Sequence, residues 1–236
     1  MARIFITGAA DGLGQLAARE LITQGHEVAL HARNKNRGEQ ALKALPGAAG
    51  VLVADLSNLN ETKALADQAN ASGTFDAVIH NAGVYRVGAD KLLAVNTLAP
   101  YLLTGLMNRP KRLIYLSSGM QLSGNAERIE HPSYSDTKLH NVMFAKIAAR
   151  KWPGVHANAV DPGWVPTKMG GAGAPDDLEK GYETQVWLAV SDEPGALVSG
   201  QYFHHKKPAR HNPSADDISS QDHLLATCAR LTGVNW

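Results

Sequence analysis

Short apolar runs alternate with segments of helical period along the whole chain. Residues 4–7, 28–31, 50–54, 77–80, 113–117 and 155–160 are too short for helices and are bounded by polar residues or glycine. They read as buried strands, and residues 202–203 add a last short one. Between them, residues 12–23 carry Leu13, Leu16, Ala17 and Leu21 on one stripe, with Gly25 just beyond the end. A polar helix over 37–45 is stopped by Pro46-Gly47, and one over 59–69 follows Ser57 or Asn58 as N-cap. Residues 89–107 read as mostly helical, with Pro100 predicting a kink or early stop. A helix over 134–150 buries Leu139, Val142, Met143 and Ile147, between Pro132 and Pro153-Gly154. Helices over 178–190 and 217–232 complete the set, and residues 162–175 form a Gly-rich loop.

Strands separated by helices predict parallel βαβ units with right-handed crossovers, hence an α/β fold with a doubly wound parallel sheet of about seven strands and helices on both faces. No linker, repeat or low-complexity block divides the 236 residues. One domain over 1–236 is expected, with a short substrate loop near 164–178.

Composition narrows the partners. Hydrophobic residues make up 44% and charged residues 19%, and the net charge is only +1, so no strong field recruits nucleic acid or an anionic membrane. No apolar run approaches the ~20 residues that span a bilayer. The single cysteine, Cys228, excludes an intramolecular disulfide and fits a reducing compartment. Met1-Ala2-Arg3 leads straight into the first strand without an apolar leader, so a cytoplasmic protein is expected.

The chemistry starts at Thr7-Gly8-Ala9-Ala10-Asp11-Gly12-Leu13-Gly14, between the first strand and the first helix. Glycines there allow a tight turn and close backbone approach to a pyrophosphate, while the helix start supplies N–H groups and the positive dipole end. Other strand ends lie on the same edge of such a sheet. Asp55-Leu56 places a carboxylate where an adenine amino group could donate, or where it simply caps a helix. Asn81-Ala82-Gly83 permits close contact with an adenine ribose, or makes a plain turn. At the end of the second strand, Ala32 brings no carboxylate for NAD ribose hydroxyls, and Arg33 brings a guanidinium suited to the extra phosphate of NADP. This favours NADP(H), with NAD(H) still admissible, since Asp11 would repel that phosphate. Tyr134 and Lys138 lie one helical turn apart. A cation beside a phenol stabilises the phenolate, so Tyr134 is expected to become a usable proton donor or acceptor. A solvated helix face is the plain alternative.

Taken in order, Thr7-Gly8…Gly12-Leu13-Gly14, Asn81-Ala82-Gly83, Asn96, Ser117-Ser118, Tyr134…Lys138 and Pro162-Gly163 resemble the short-chain dehydrogenase/reductase family, in its single-domain branch. Ser117-Ser118, the stretch from Tyr134 to Val142, and Ser199-Gly200-Gln201-Tyr202-Phe203 look most like its retinol dehydrogenase-like subgroup. The resemblance implies a Rossmann-type fold and an NAD(P)-dependent oxidoreductase acting on a small-molecule carbonyl or alcohol. Tyr134 would be the general acid/base, and Lys138 would tune it and hold the nicotinamide ribose. Ser118 would orient the reacting oxygen, with Ser117 as the register alternative, and Asn96 would anchor a water behind Lys138. Pro162, Gly163, Val165 and Thr167 would lie along the nicotinamide. A dimer or tetramer, or a monomer, is consistent with such relatives.

Some features depart from that pattern. The stretch between Ser118 and Tyr134 is long and carries Glu127, Arg128 and Glu130; Trp164 puts an indole beside the nicotinamide loop. The basic run His204-His205-Lys206-Lys207…Arg210-His211 reads as a solvated loop, with a metal or anion site as the alternative. Against the enzyme stands a dinucleotide-binding regulatory or structural protein without turnover.

Overall fold

A computed structural model describes residues 1–236. The strands are β1 (Arg3–Ile6), β2 (Glu27–Ala32), β3 (Gly50–Val53), β4 (Ala77–His80), β5 (Arg112–Leu116), β6 (His156–Asp161), β7 (Tyr202–His204) and β8 (Lys207–Pro208). They form one sheet in the order β3-β2-β1-β4-β5-β6-β7-β8. All neighbours are parallel except β7 and β8. The sheet therefore has eight strands where about seven were expected. The extra one is a two-residue antiparallel return, possible because His205 and Lys206 turn the chain with positive φ. Its Pro208 sits at the sheet edge, where a missing N–H costs no ladder bond.

The helices are α1 (Gly12–Thr23), α2 (Lys35–Ala44), α3 (Leu59–Ala71), α4 (Ala89–Leu92), α5 (Ala99–Leu106), α6 (Tyr134–Lys151), α7 (Lys180–Val190) and α8 (Ile218–Thr232). Side chains alternate across the strands and build two cores. Phe5, Tyr115, Ala159 and Tyr202 pack with α3, α5, α6 and α8, while Ile4, Ile6, Leu116 and Phe203 pack with α1, α2 and α7. No helix is long and apolar enough to cross a membrane.

Pro100 follows directly on an irregular stretch of helix: a π-turn over Leu93–Leu98 joins α4 to α5, Pro100 is the second residue of α5, and the Asn96 carbonyl that its missing N–H leaves free accepts from the Asn141 amide at 3.1 Å. The charged stretch before Tyr134 is also accounted for. Glu130 pairs with Arg230 at 2.7 Å, and Arg128 lies 3.6 Å from the Asp136 carboxylate. The outer side of α6 is tied to later chain by Arg150 to Asp222 at 2.5 Å and Lys146 to Asp216 at 2.6 Å.

Candidate active site

The strand order reverses direction at β1, whose neighbours are β2 and β4, and the chain opens there into a crevice at the carboxyl ends of the strands. The glycine loop is held from both sides. The Thr7 hydroxyl accepts from the Ala82 N–H at 3.0 Å, and the Asn81 amide donates to the carbonyls of Thr7 at 2.9 Å and Gly8 at 3.2 Å. His31 lies between the loop and β3: its Nδ1 accepts from the Gly8 N–H at 3.0 Å and its Nε2 is 3.0 Å from the Ala54 carbonyl. A neutral ring with its proton on Nε2 satisfies both bonds.

Gly8 has φ 67°, and a Cβ on it would lie 2.9 Å from the Ala82 Cα. A Cβ on Gly14 would lie 2.6 Å from the Gly8 carbonyl oxygen and press on the Asn81 amide. Gly14→Ala must displace that loop, at about 1–3 kcal/mol. Dinucleotide affinity is expected to fall about tenfold to a hundredfold. Titration calorimetry checks this, and unchanged affinity in a folded variant would count against a phosphate-binding loop.

Asp11 occupies the N-cap position of α1 but makes no side-chain cap bond, so the first-turn N–H groups are left facing the crevice. Its carboxylate instead pairs with Arg37 at 2.5 Å and reaches Lys168 at 3.4 Å. The acidic residue that seemed to oppose a 2′-phosphate is thus already matched by two cations. Arg33 also lines the crevice, as do Arg37, Lys91 and Lys168. Arg37 had no signal in the linear sequence, because it sits inside α2 and meets Asp11 only in the fold.

The crevice holds about 560 Å³. Of the expected site residues, Gly8, Asp11, Gly12, Leu13, Arg33, Asp55, Leu56, Asn81, Ala82, Gly83, Tyr134, Lys138, Pro162 and Thr167 line it. Thr7 and Gly14 act from behind the loop, as described. Val165 does not face the crevice: it is buried, and a Cβ on Gly181 at the start of α7 would lie 2.8 Å from its side chain. Gly163 has φ 79° and donates to the Asp161 carboxylate at 3.0 Å. Trp164 turns out to solvent, 60% exposed, with its Nε1 donating to the Gly170 carbonyl at 2.9 Å. Asp55 receives both bonds from Ser57, N–H at 2.9 Å and hydroxyl at 2.7 Å. Burial works against its ionisation, yet those bonds and the nearby Arg33 and Lys91 hold its carboxyl below the ordinary value.

At the other end of the crevice, Ser133 caps α6 by accepting from the Asp136 N–H at 3.3 Å, and the Asp136 carboxylate accepts from the Ser133 N–H at 2.8 Å. This Ser-x-x-Asp box fixes Tyr134 as the first helical residue. The Tyr134 ring meets Tyr85 at 4.7 Å between centroids, and the Lys138 Nζ lies 5.4 Å from the Tyr134 ring centre. Lys138 is buried and donates to the Leu116 carbonyl at 2.9 Å. Burial pushes the Tyr134 phenol up to about 12, with Tyr85 and the Asp161 carboxylate adding to it. Burial pulls the Lys138 ammonium down to about 8, partly opposed by Asp161. The phenol therefore stands above its ordinary value, where the spacing predicted it below: burial is the largest cause, and Lys138 is not among the groups that shift it.

The two serines part as strand geometry requires. Ser117 is buried and donates to the Lys138 carbonyl at 2.7 Å, tying β5 to α6. Ser118 lies beyond the strand, half-buried, and its hydroxyl accepts from the Met120 N–H at 3.3 Å. Asn96 sits in the π-turn. Its Oδ1 accepts from the Val84 N–H at 2.8 Å, and its amide donates to the Val84 carbonyl at 3.0 Å and the Thr137 hydroxyl at 3.1 Å. A Cβ on Gly83 would lie 3.5 Å from both the Asn96 Oδ1 and the Lys138 Nζ, so the three residues meet at one point. Neither Ser118 nor Asn96 lines the crevice wall itself. The basic run forms the end of β7, the turn and β8, and no group of three or more His, Cys, Asp or Glu is arranged to hold a metal ion.

A family model described as short chain dehydrogenase matches residues 2–177. The chain belongs to that family. An uncharacterized oxidoreductase of Emericella nidulans is 45% identical over 250 residues, covering 99% of this chain and 98% of that protein. Retinol dehydrogenase 14 of Homo sapiens is 30% identical over 275 residues, covering 92% of this chain and 82% of its own, so the likeness seen in the motifs extends along the chain at lower identity. A solved structure of an uncharacterized protein from Mycobacterium paratuberculosis superposes with a TM-score of 0.84 at 26% identity, covering 100% of this chain and 94% of that one. The chain is an oxidoreductase of Rossmann-type fold.

Proposed function

We propose that this oxidoreductase prefers NADP(H) and interconverts a carbonyl and an alcohol, with Tyr134 as the proton donor and acceptor. One observation carries the reading: a half-buried phenol and a buried ammonium stand at one end of the same crevice whose other end is a braced glycine loop at a helix start. The residues present fit a dinucleotide. First-turn N–H groups of α1 suit its pyrophosphate, and close backbone approach is kept open by Gly8, Gly12 and Gly83. When bound, that cofactor supplies or accepts the hydride.

The chain's own groups manage the proton. With its phenol near 12, Tyr134 is protonated at neutral pH and can donate to a carbonyl oxygen; in reverse it takes the proton back. Lys138, fixed by the Leu116 carbonyl, supplies positive charge and N–H donors beside it. Ser118, just outside the crevice wall with its hydroxyl accepting from the Met120 N–H, would have to turn inward to orient the reacting oxygen. Asn96 holds Val84 and α6 in place behind Lys138, and because both its amide hydrogens are engaged, a relay water would have to use an oxygen acceptor. Pro162 and Thr167 face the nicotinamide end of the crevice.

The NADP preference rests on Arg33 and Arg37, the latter already drawn to the crevice by Asp11. Removing one charge-assisted bond to a phosphate costs about 1.5–3 kcal/mol. Arg33→Ala and Arg37→Ala are therefore expected to raise the Kd for NADPH about tenfold or more while moving that for NADH much less. Wild-type protein that binds NADH more tightly than NADPH would overturn the preference. A panel of aldehydes, ketones and alcohols followed by cofactor absorbance tests the reaction; cofactor binding without turnover on any of them would favour a non-catalytic role.

A further inference from the structure

Asp161 is the last residue of β6, and it is the one carboxylate that bears on both members of the Tyr134–Lys138 pair. Strand alternation sets its direction. Ala157 and Ala159 pack into the core beneath α6, so Asp161, two residues further on, projects to the same side. Its Oδ1 accepts from the Gly163 N–H at 3.0 Å, and its Oδ2 lies 3.1 Å from where a Gly119 Cβ would stand, beside Ser118. The side chain is only 16% exposed, yet no lysine or arginine is within 4.0 Å. Lys138 is 5% exposed and likewise has no carboxylate at ion-pair distance.

A buried ammonium with no carboxylate in contact is costly, and Lys138 is one. The Leu116 carbonyl that holds the Lys138 ammonium ends β5, and Leu116 pairs in register with Val160, so Asp161 stands one residue beyond that point on the neighbouring strand and on the same α6 side. The other groups around Asp161 do not supply the missing charge. Tyr202, buried on the same face of β7, has a hydroxyl without a hydrogen bond and a phenol pushed up by burial and by Asp161. His204 lies opposite Asp161 in the strand register, its Nδ1 3.7 Å from the carboxylate and 3.2 Å from the main-chain oxygen. Asp176, on the far side of Gly163, adds a like charge.

We propose that Asp161 is the counter-charge of Lys138 and a positioning residue for proton transfer, setting the pH range in which the Tyr134–Lys138 pair works. Only the kinetic arm of the test depends on the oxidoreductase chemistry assigned to that pair. Neutralising the carboxylate removes a partner that favours the ammonium and disfavours the phenolate, so both groups lose their protons at lower pH.

The test is a titration of the free protein carrying 13C at lysine Cε and tyrosine Cζ, with resonances assigned from Lys138→Gln and Tyr134→Phe. In Asp161→Asn, which keeps an acceptor for the Gly163 N–H, the Lys138 midpoint is expected to drop from near 8 by about one pH unit. The Tyr134 midpoint is expected to move the same way. Asp161→Ser should give the same shift if charge rather than shape is responsible, and Asp161→Glu should lie between Asn and wild type. The pH limb of kcat/KM should follow by a similar amount. Unmoved midpoints in a variant that circular dichroism finds folded overturn the proposal. Shifted midpoints in a protein inert towards every carbonyl and alcohol would leave Asp161 in its role and overturn the catalytic reading alone.

Discussion

Tyr134→Phe is expected to lower kcat about a thousandfold while leaving cofactor affinity within a few-fold of wild type. The size is that of general acid–base catalysis, about 10²–10⁴. The split follows from geometry: phenylalanine keeps the ring that packs at 4.7 Å on Tyr85 and beneath the Lys138 ammonium, so the crevice retains its shape and loses only the hydroxyl. Single-turnover hydride transfer and NADPH titration on the same sample read the two quantities separately. A folded variant with full hydride transfer would end the proposed mechanism. A variant that loses both activity and binding would place Tyr134 among the residues that shape the crevice.

The second large effect is acid instability, and its source lies away from the chemistry. His31, His80 and His140 are buried, and burial lowers all three below the ordinary histidine value, His80 to about 3 and His140 to about 4. Each makes bonds that a neutral ring can satisfy: His31 with Gly8 and Ala54, His80 with Thr104 at 3.2 Å, His140 with Thr97 at 3.0 Å. In the unfolded chain these rings take up protons near pH 6.5, while in the fold they stay neutral to lower pH. The unfolded state then binds more protons, so stability falls as pH drops below about 6.5, at about 1.4 kcal/mol per pH unit for each ring. The slope ends for each histidine once pH passes its folded value. By pH 5, His80 and His140 alone remove about 4 kcal/mol, a large part of a total of about 5–15 kcal/mol. Carboxylates such as Asp76, held low by the Arg3 N–H and Lys111, act in a separate window below about pH 4. Urea midpoints between pH 7 and 5 check this, and His140→Gln should flatten the slope by about a third to a half. A slope unaffected by replacing either His80 or His140 would assign the acid sensitivity elsewhere.

Both sets of groups differ in how far they could be read in advance. The strands were legible because a parallel sheet covered on both faces needs unbroken apolar runs, and Ile4 to Ile6 or Val78 and Ile79 can be little else. Tyr134 and Lys138 were legible because helical spacing alone puts them on one face. What escaped depends on groups distant in sequence. Strand β8 exists only because two positive-φ residues fold Lys207 and Pro208 back on β7, and no period of two can show in two residues. The π-turn at Asn96 follows from bonds to Val84 and Thr137 rather than from local preference. Arg37 is an ordinary polar helix residue until Asp11, 26 positions earlier, is brought against it. The raised phenol at Tyr134 has the same cause: spacing reveals the neighbouring lysine but not the burial of the hydroxyl or the nearby Tyr85 and Asp161. The long segment before Tyr134 carries partners of later chain: Glu130 for Arg230 on α8, and Gln121, whose side chain accepts from the Asn212 N–H at 2.8 Å ahead of that helix.

The ties between α6 and α8 have a consequence for synthesis. Arg150 must wait for Asp222, 72 residues downstream, before the outer side of the catalytic helix has its partner. At about 5–20 residues per second, a ribosome takes several seconds to deliver it. During that interval Leu139, Val142 and Met143 can lie on β5 while the opposite side of the same helix is bare. A nascent chain released after residue 205 would hold every proposed proton-transfer group and leave uncovered the side of α6 that packs on α8.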